Sequence, residues 1–139
     1  MTTPPEIAAL LAGIRSVAVV GWSTKADRPS HWIADYLEQE AGLRVFRVNP
    51  AGDPAGTPPV WPSLEALPET VDVVDVFRSP PHVPEVVGAA VRHGARVVWM
   101  QPGAENEEAA ATARAAGLEA VVGQCLYARH KAWKAEQGD

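Results

Sequence analysis

Ser16-Val-Ala-Val-Val-Gly-Trp-Ser-Thr-Lys-Ala-Asp-Arg-Pro-Ser30 decides the fold. A short valine-rich run, Ser16 to Val20, stops at Gly21 and opens into a polar loop. Beyond the loop the pattern changes period. His31 to Glu40 places Trp32, Ile33, Tyr36 and Leu37 on one side, which is helical spacing. The run before the loop does not alternate between polar and apolar, as a strand covered on both faces should not.

Outward from this unit the same grammar repeats. Arg44-Val-Phe-Arg-Val48 stops at Asn49-Pro50, Asp72-Val-Val-Asp-Val-Phe77 at Ser79-Pro80-Pro81, and Arg96-Val-Val-Trp-Met100 at Gln101-Pro102-Gly103. Glu119-Ala-Val-Val122 is the fifth run. Between them lie helical stretches at Val83 to His93 and Glu107 to Ala116, the latter stopped by Gly117. Ser63 to Leu67 reads as a single turn, and Pro5 to Gly13 and Leu126 to Lys134 as terminal helices. Ser79 followed by Pro80 fits a helix start.

Strand and helix thus alternate five times. The expectation is a Rossmann-like, doubly wound α/β domain over residues 1–139, with a mainly parallel five-stranded sheet and helices on both faces. The expected strand order is 3-2-1-4-5, with ligands beyond the carboxyl ends of the strands, beside strand one. Trp61 and Trp99 are assigned to the core.

Composition bounds the function. Apolar residues are 47% and charged residues 21%, as in a globular protein rather than a disordered one. The formal charge of −5 argues against a dedicated nucleic-acid binder, which needs a basic face. No apolar run approaches the ~20 residues of a membrane helix, and Met1 to Leu11 lacks the basic start of a signal peptide. One cysteine, Cys125, excludes an internal disulfide, and the expected compartment is the cytoplasm. The 4 histidines are dispersed without ligand spacing, so no metal site is expected.

Chemistry must then come from the loops. In the first, Ser23, Thr24 and Ser30 supply hydroxyls, Lys25 and Arg28 supply cations, and Gly21 permits a tight turn. A helix N-terminus beside them suits phosphate, so the loop reads as a phosphate cradle; the alternative is a polar loop with Ser30 as helix cap. The spacing G-x-G-x-x-G is absent, and Asn49 stands where a dinucleotide site carries an acid for the ribose. G-x-x-x-x-G-K-[ST] is also absent. Asn49-Pro50 reads equally as a ligand contact or a turn. Phe77 and Arg78 suit an adenine and a phosphate, or a capped helix start with a solvated arginine. Arg47 is a further candidate cation, or a strand residue paired with an acid, the reading preferred. Cys125, following the fifth run near the carboxyl edge of the sheet, is a reactive thiol at a helix N-terminus or, as preferred, a small buried apolar residue.

Val19-Val-Gly-Trp-Ser23, Arg28-Pro-Ser30, Val48-Asn-Pro50, Val73-Val-Asp-Val-Phe77, Pro80-Pro81, Val98-Trp-Met-Gln-Pro-Gly103 and Glu105-Asn-Glu-Glu108 together resemble the small stand-alone CoA-binding proteins. These are similar to the N-terminal domain of the succinyl-CoA synthetase α subunit. The resemblance spans about Ser16 to Trp133 and implies a domain that binds coenzyme A. Carried over, it places Gly21, Trp22, Ser23, Arg28, Pro29 and Ser30 around the pyrophosphate, with Lys25 a further cation. Asn49 and Pro50 border them, Phe77, Arg78 and Pro80 line the adenine and pantetheine path, and Gln101 sits at the far end. Where the family commonly has Gly-Ala-Ser, this chain has Gly21-Trp22-Ser23; the bulky ring either stacks on the ligand or fills part of its site.

The resemblance does not imply ligase activity, since the phosphorylated histidine of succinyl-CoA synthetase lies outside its CoA domain. The expectation is a non-catalytic module for CoA or acyl-CoA, with a protein partner or self-association open. The alternative is a nucleotide-cofactor enzyme or ligase component acting with a separate catalytic chain.

Overall fold

The computed structural model describes residues 2–138. Among these, β1 (Ser16–Val20), β2 (Arg44–Val48), β3 (Val60–Trp61), β4 (Val73–Val76), β5 (Val97–Met100) and β6 (Glu119–Val122) form one six-stranded sheet in the order β3-β2-β1-β4-β5-β6. Every neighbouring pair is parallel. The helices are α1 (Pro5–Gly13), α2 (Pro29–Gln39), α3 (Val83–His93), α4 (Glu107–Ala115) and α5 (Leu126–Glu136), with short 3-10 turns at Leu64–Ala66 and Pro80–His82.

The doubly wound α/β architecture is the expected one, with one strand more. Val60–Trp61 pairs with Arg47 and Val48 and takes the outer place beyond β2. The run at residues 73–76, expected at that edge, lies instead on the other side of β1, in register Val17 to Val73 through Val20 to Val76. The expected order placed this third run wrongly because a two-residue strand beside Pro58, Pro59 and Pro62 carries no periodicity to read.

The alternation of each strand feeds two separate cores. Ala18, Val20, Val74, Val76, Val98 and Met100 face α3 and α4, which contribute Val83, Val87, Ala90, Ala110 and Ala113. Val17, Val19, Val73, Val97, Trp99 and Val121 face the other way, against Ile7 and Leu11 of α1, Ile33 and Leu37 of α2 and Leu126 of α5. Burial of both faces of β1, β4 and β5 is what makes their sequences continuous in valine. Trp99 is core, as expected, whereas Trp61 on the short edge strand is only half-buried.

One buried residue breaks the apolar rule. Asp75 stands in the middle of β4, opposite Val19 and Trp99, fully buried. Neither carboxyl oxygen has a hydrogen-bond partner among the described residues, and burial pushes its pKa well above the usual carboxylate range. A carboxyl held this way carries its proton because an unpaired buried anion is far more costly.

Candidate functional site at the carboxyl edge of the sheet

Gly21 ends β1 with a φ of +92°, and its Cα lies so close to the Phe77 carbonyl that any Cβ there would overlap it. Only glycine suits that position, on both counts. The Gly21 and Trp22 amides both donate to the Val48 carbonyl, 3.0 and 3.1 Å away, folding the loop back over the end of β2. Ser30 lies inside the first turn of α2, not at its cap. Pro29 pre-sets the helical φ and starts the helix two residues earlier than the spacing suggests, leaving Arg28 as N-cap without a side-chain cap bond. The buried Ser30 hydroxyl accepts from the Ser23 amide at 3.0 Å, and the Ser23 hydroxyl accepts from the Lys25 amide at 3.1 Å. The amides of Thr24, Ala26 and Asp27 keep no protein partner among the described residues.

Trp22 borders the second of the cavities described below. Its indole is buried in the α1/α2/α5 core, stacked on the His31 ring at 5.1 Å, and it does not line the largest cleft. His31 is fixed in turn by a 2.8 Å hydrogen bond between Nδ1 and the Ser23 carbonyl.

Three cavities meet at Gly21. The largest, about 540 Å³, is lined by Gly21, Ser23, Lys25, Arg28, Pro29, Ser30, Trp32, Ile33, Phe77, Gln101, Pro102 and Cys125. A second, about 430 Å³, runs over Trp22, Ser23, Thr24, Asn49 and Asp53. A third, about 290 Å³, opens on the opposite face of the sheet beside Val48, Pro50, Glu65, Arg78, Glu85 and Arg92. Lys25, Arg28 and Arg78 have no ion-pair partner among the described residues, and the first two are exposed. Arg47 is withdrawn: it bonds Asp35 at 3.0 Å and Glu38 at 2.9 Å, the acid pairing expected of it.

The sequence-derived candidates therefore fall around one crest, but not in one cleft. Gly21, Ser23, Lys25, Arg28, Pro29, Ser30, Phe77 and Gln101 share the largest. Trp22 and Asn49 border the second, and Pro50 and Arg78 the third. Pro80 lines none of them; it is exposed in its 3-10 turn, and its carbonyl accepts from the Asn106 side chain. Besides Ser23 and Ser30, two further candidates carry structural bonds. Asn49 Nδ2 donates to the Trp22 carbonyl at 2.8 Å and its Oδ1 accepts from the Ala51 amide. Gln101 Oε1 accepts from the Leu126 amide at 3.0 Å, tying β5 to the start of α5.

Sequence reasoning missed three lining residues, Trp32, Ile33 and Pro102, and placed the fourth, Cys125, near this edge without counting it in the site. Trp32, on the side of α2 that carries Ile33, Tyr36 and Leu37, is 40% exposed. Cys125, read as buried, is half-exposed in the cleft wall.

A family model for a CoA binding domain matches residues 15–131. The chain belongs to the CoA-binding domain family. It is 33% identical over 129 residues to the Uncharacterized protein YneT of Bacillus subtilis (strain 168), covering 93% of this chain and 95% of that one. It is similar to a hypothetical protein from Pyrococcus horikoshii OT3, with a TM-score of 0.88 and 33% identity over 96% of this chain and 93% of that one. The fold also recurs within a much longer chain, the dinucleotide forming Acetyl-coenzyme A synthetase 1 of Ca. Korarchaeum cryptofilum. There the TM-score is 0.69 and the identity 20%, over 83% of this chain and 28% of the synthetase.

Proposed function

We propose that this member of the CoA-binding domain family binds coenzyme A or an acyl-CoA through the loops at the carboxyl edge of its sheet, as a binding or regulatory module. The observation that carries the reading is the convergence of three cavities on Gly21, with unpaired cations on both sides of it. Coenzyme A is long, and it carries phosphate both at its pyrophosphate and on its ribose. A ligand of that shape needs separated cationic sites joined by a crest that a backbone can approach closely. Lys25 and Arg28 stand at one cavity and Arg78 at another, and Gly21 offers no side chain between them. The partnerless amides of Thr24, Ala26 and Asp27 add donors suited to phosphate oxygens.

The residue after β2 supports CoA over a nicotinamide dinucleotide. It is Asn49, and both ends of its side-chain amide are already spent on backbone groups. The position directly after β2, where a dinucleotide site carries its acid for the ribose diol, thus holds no carboxylate; Asp53 follows four residues later. Calorimetric titration of the ligand-stripped protein with CoA, NAD and ATP tests the reading. Selective CoA binding that weakens about tenfold or more in Arg28→Ala, the loss of one charge-assisted phosphate contact, supports it. Preference for NAD or ATP would overturn it.

A further inference from the structure

Trp32 is the one large apolar side chain that the described residues leave exposed, and it is exposed into the largest cleft. Its ring is not loose. Tyr127 meets it edge-on at 5.0 Å, Tyr36 meets Tyr127 edge-on at 4.8 Å, and the Tyr36 hydroxyl bonds His130 Nδ1 at 2.8 Å. The indole is thus braced from behind and bare in front. Such a surface stays rigid while it waits for an apolar group.

The strand order fixes where that group would lie. Crossing the sheet edge from β1 to β6, the lining residues come in the order Gly21, Phe77, Gln101 and Pro102, then Cys125. The cations Lys25 and Arg28 belong to the loop at the β1 end. Trp32 stands on α2 one turn beyond Arg28, its amide donating to the Arg28 carbonyl at 3.3 Å, and its ring leans on Tyr127 of α5. The cleft therefore sets an exposed apolar ring beside its cations, and its occupant is an anion that also carries an apolar group. We propose that Trp32 makes this cleft selective for acylated coenzyme A over the free thiol, its indole forming with Ile33, Phe77, Pro102 and Cys125 the wall of an acyl site. The proposal rests on the CoA reading above and names the form of the ligand.

The test is calorimetric titration of the full chain with CoA, acetyl-CoA and hexanoyl-CoA, for the natural sequence, Trp32→Ala and Trp32→Phe, with thermal unfolding to establish that each variant folds. The natural protein is expected to bind hexanoyl-CoA at least about tenfold tighter than CoA, from partial burial of the added methylenes. Trp32→Ala should bring that ratio below about twofold, and Trp32→Phe should keep most of it. Equal affinity for CoA and hexanoyl-CoA in the natural protein overturns the acyl site and leaves the CoA reading standing. Binding of neither overturns both. Sedimentation showing a dimer that Trp32→Ala splits, with the acyl preference unchanged, would assign the indole to self-association and overturn the proposal.

Discussion

The Ser30 hydroxyl holds the Ser23 backbone amide at 3.0 Å, so the first turn of α2 anchors the loop that leaves β1. Both residues belong to the largest cleft, and the bond is part-buried between them. It fixes the loop before any ligand arrives. The ordering cost is therefore met during folding rather than at binding.

Ser30→Ala leaves the Ser23 amide without its acceptor. The expected loss is about 1 kcal/mol of stability, read by urea unfolding. CoA affinity should fall several-fold beyond that, because the loop is no longer preorganised. Unchanged affinity would mean that the loop holds its shape without this bond.

Gly21→Ala should be more severe. The added methyl meets the Phe77 carbonyl, and the φ of +92° is one that an L side chain rarely adopts. Strain of this kind costs on the order of 1–3 kcal/mol from the dihedral alone, with the overlap in addition. A melting temperature lowered by several degrees is the expected result, and one equal to the natural protein would show that β1 and β4 can spread apart there.

Asp75 gives the protein a distinctive dependence on pH. Burial raises its pKa in the folded state, so between the ordinary value near 3.9 and the raised value the folded chain holds a proton that the unfolded chain has released. Stability from this group is complete below that window and is lost as the pH climbs through the folded value. Asp75→Asn removes the titration. The variant should gain stability over the natural protein at pH 7 to 8, and the difference should shrink toward pH 4. Denaturant midpoints across this range measure it; a difference that does not vary with pH would contradict the buried, protonated carboxyl.

His130 acts with the opposite sign. Burial first, and Lys134 second, lower its pKa, and its Nδ1 is bonded to the Tyr36 hydroxyl. Below the ordinary imidazole value of about 6.5 the unfolded chain takes up a proton before the folded chain does. Stability from this group is present above that pH and declines as the pH falls toward the folded value. In His130→Phe the decline should be absent, and the slope of stability between pH 6.5 and 5 should become more favourable to the fold on acidification. The same slope in both proteins would show that His130 charges freely in the folded state.

How much of this was legible in the sequence follows from what each residue answers to. The main strands were readable because burial on both faces leaves apolar residues at successive positions, as at Val17 to Val20. The pairing of Arg47 was readable because a cation inside a strand needs an acid. The strand at Val60 and Trp61 was not, since two residues set no period, and with it went the correct place of β4 beside β1. The exposure of Trp32 was not readable for a related reason. Helical periodicity identifies the side of α2 that meets the sheet, but not the point along it where the sheet ends and the cleft begins. The Ser23–Ser30 bond depends on the path of the loop between them, which no spacing rule specifies. Trp22 lay beyond reach for the same reason: its burial against His31 follows from the turn at Gly21.

The most direct test of CoA binding at this edge is amide chemical-shift mapping of the labelled protein during titration with CoA. Shifts are expected to gather at Gly21 to Ser30, Asn49, Phe77, Arg78 and Gln101, with α1 and the amino-terminal ends of the strands unchanged. Shifts gathered elsewhere, or none at saturating CoA, would contradict it.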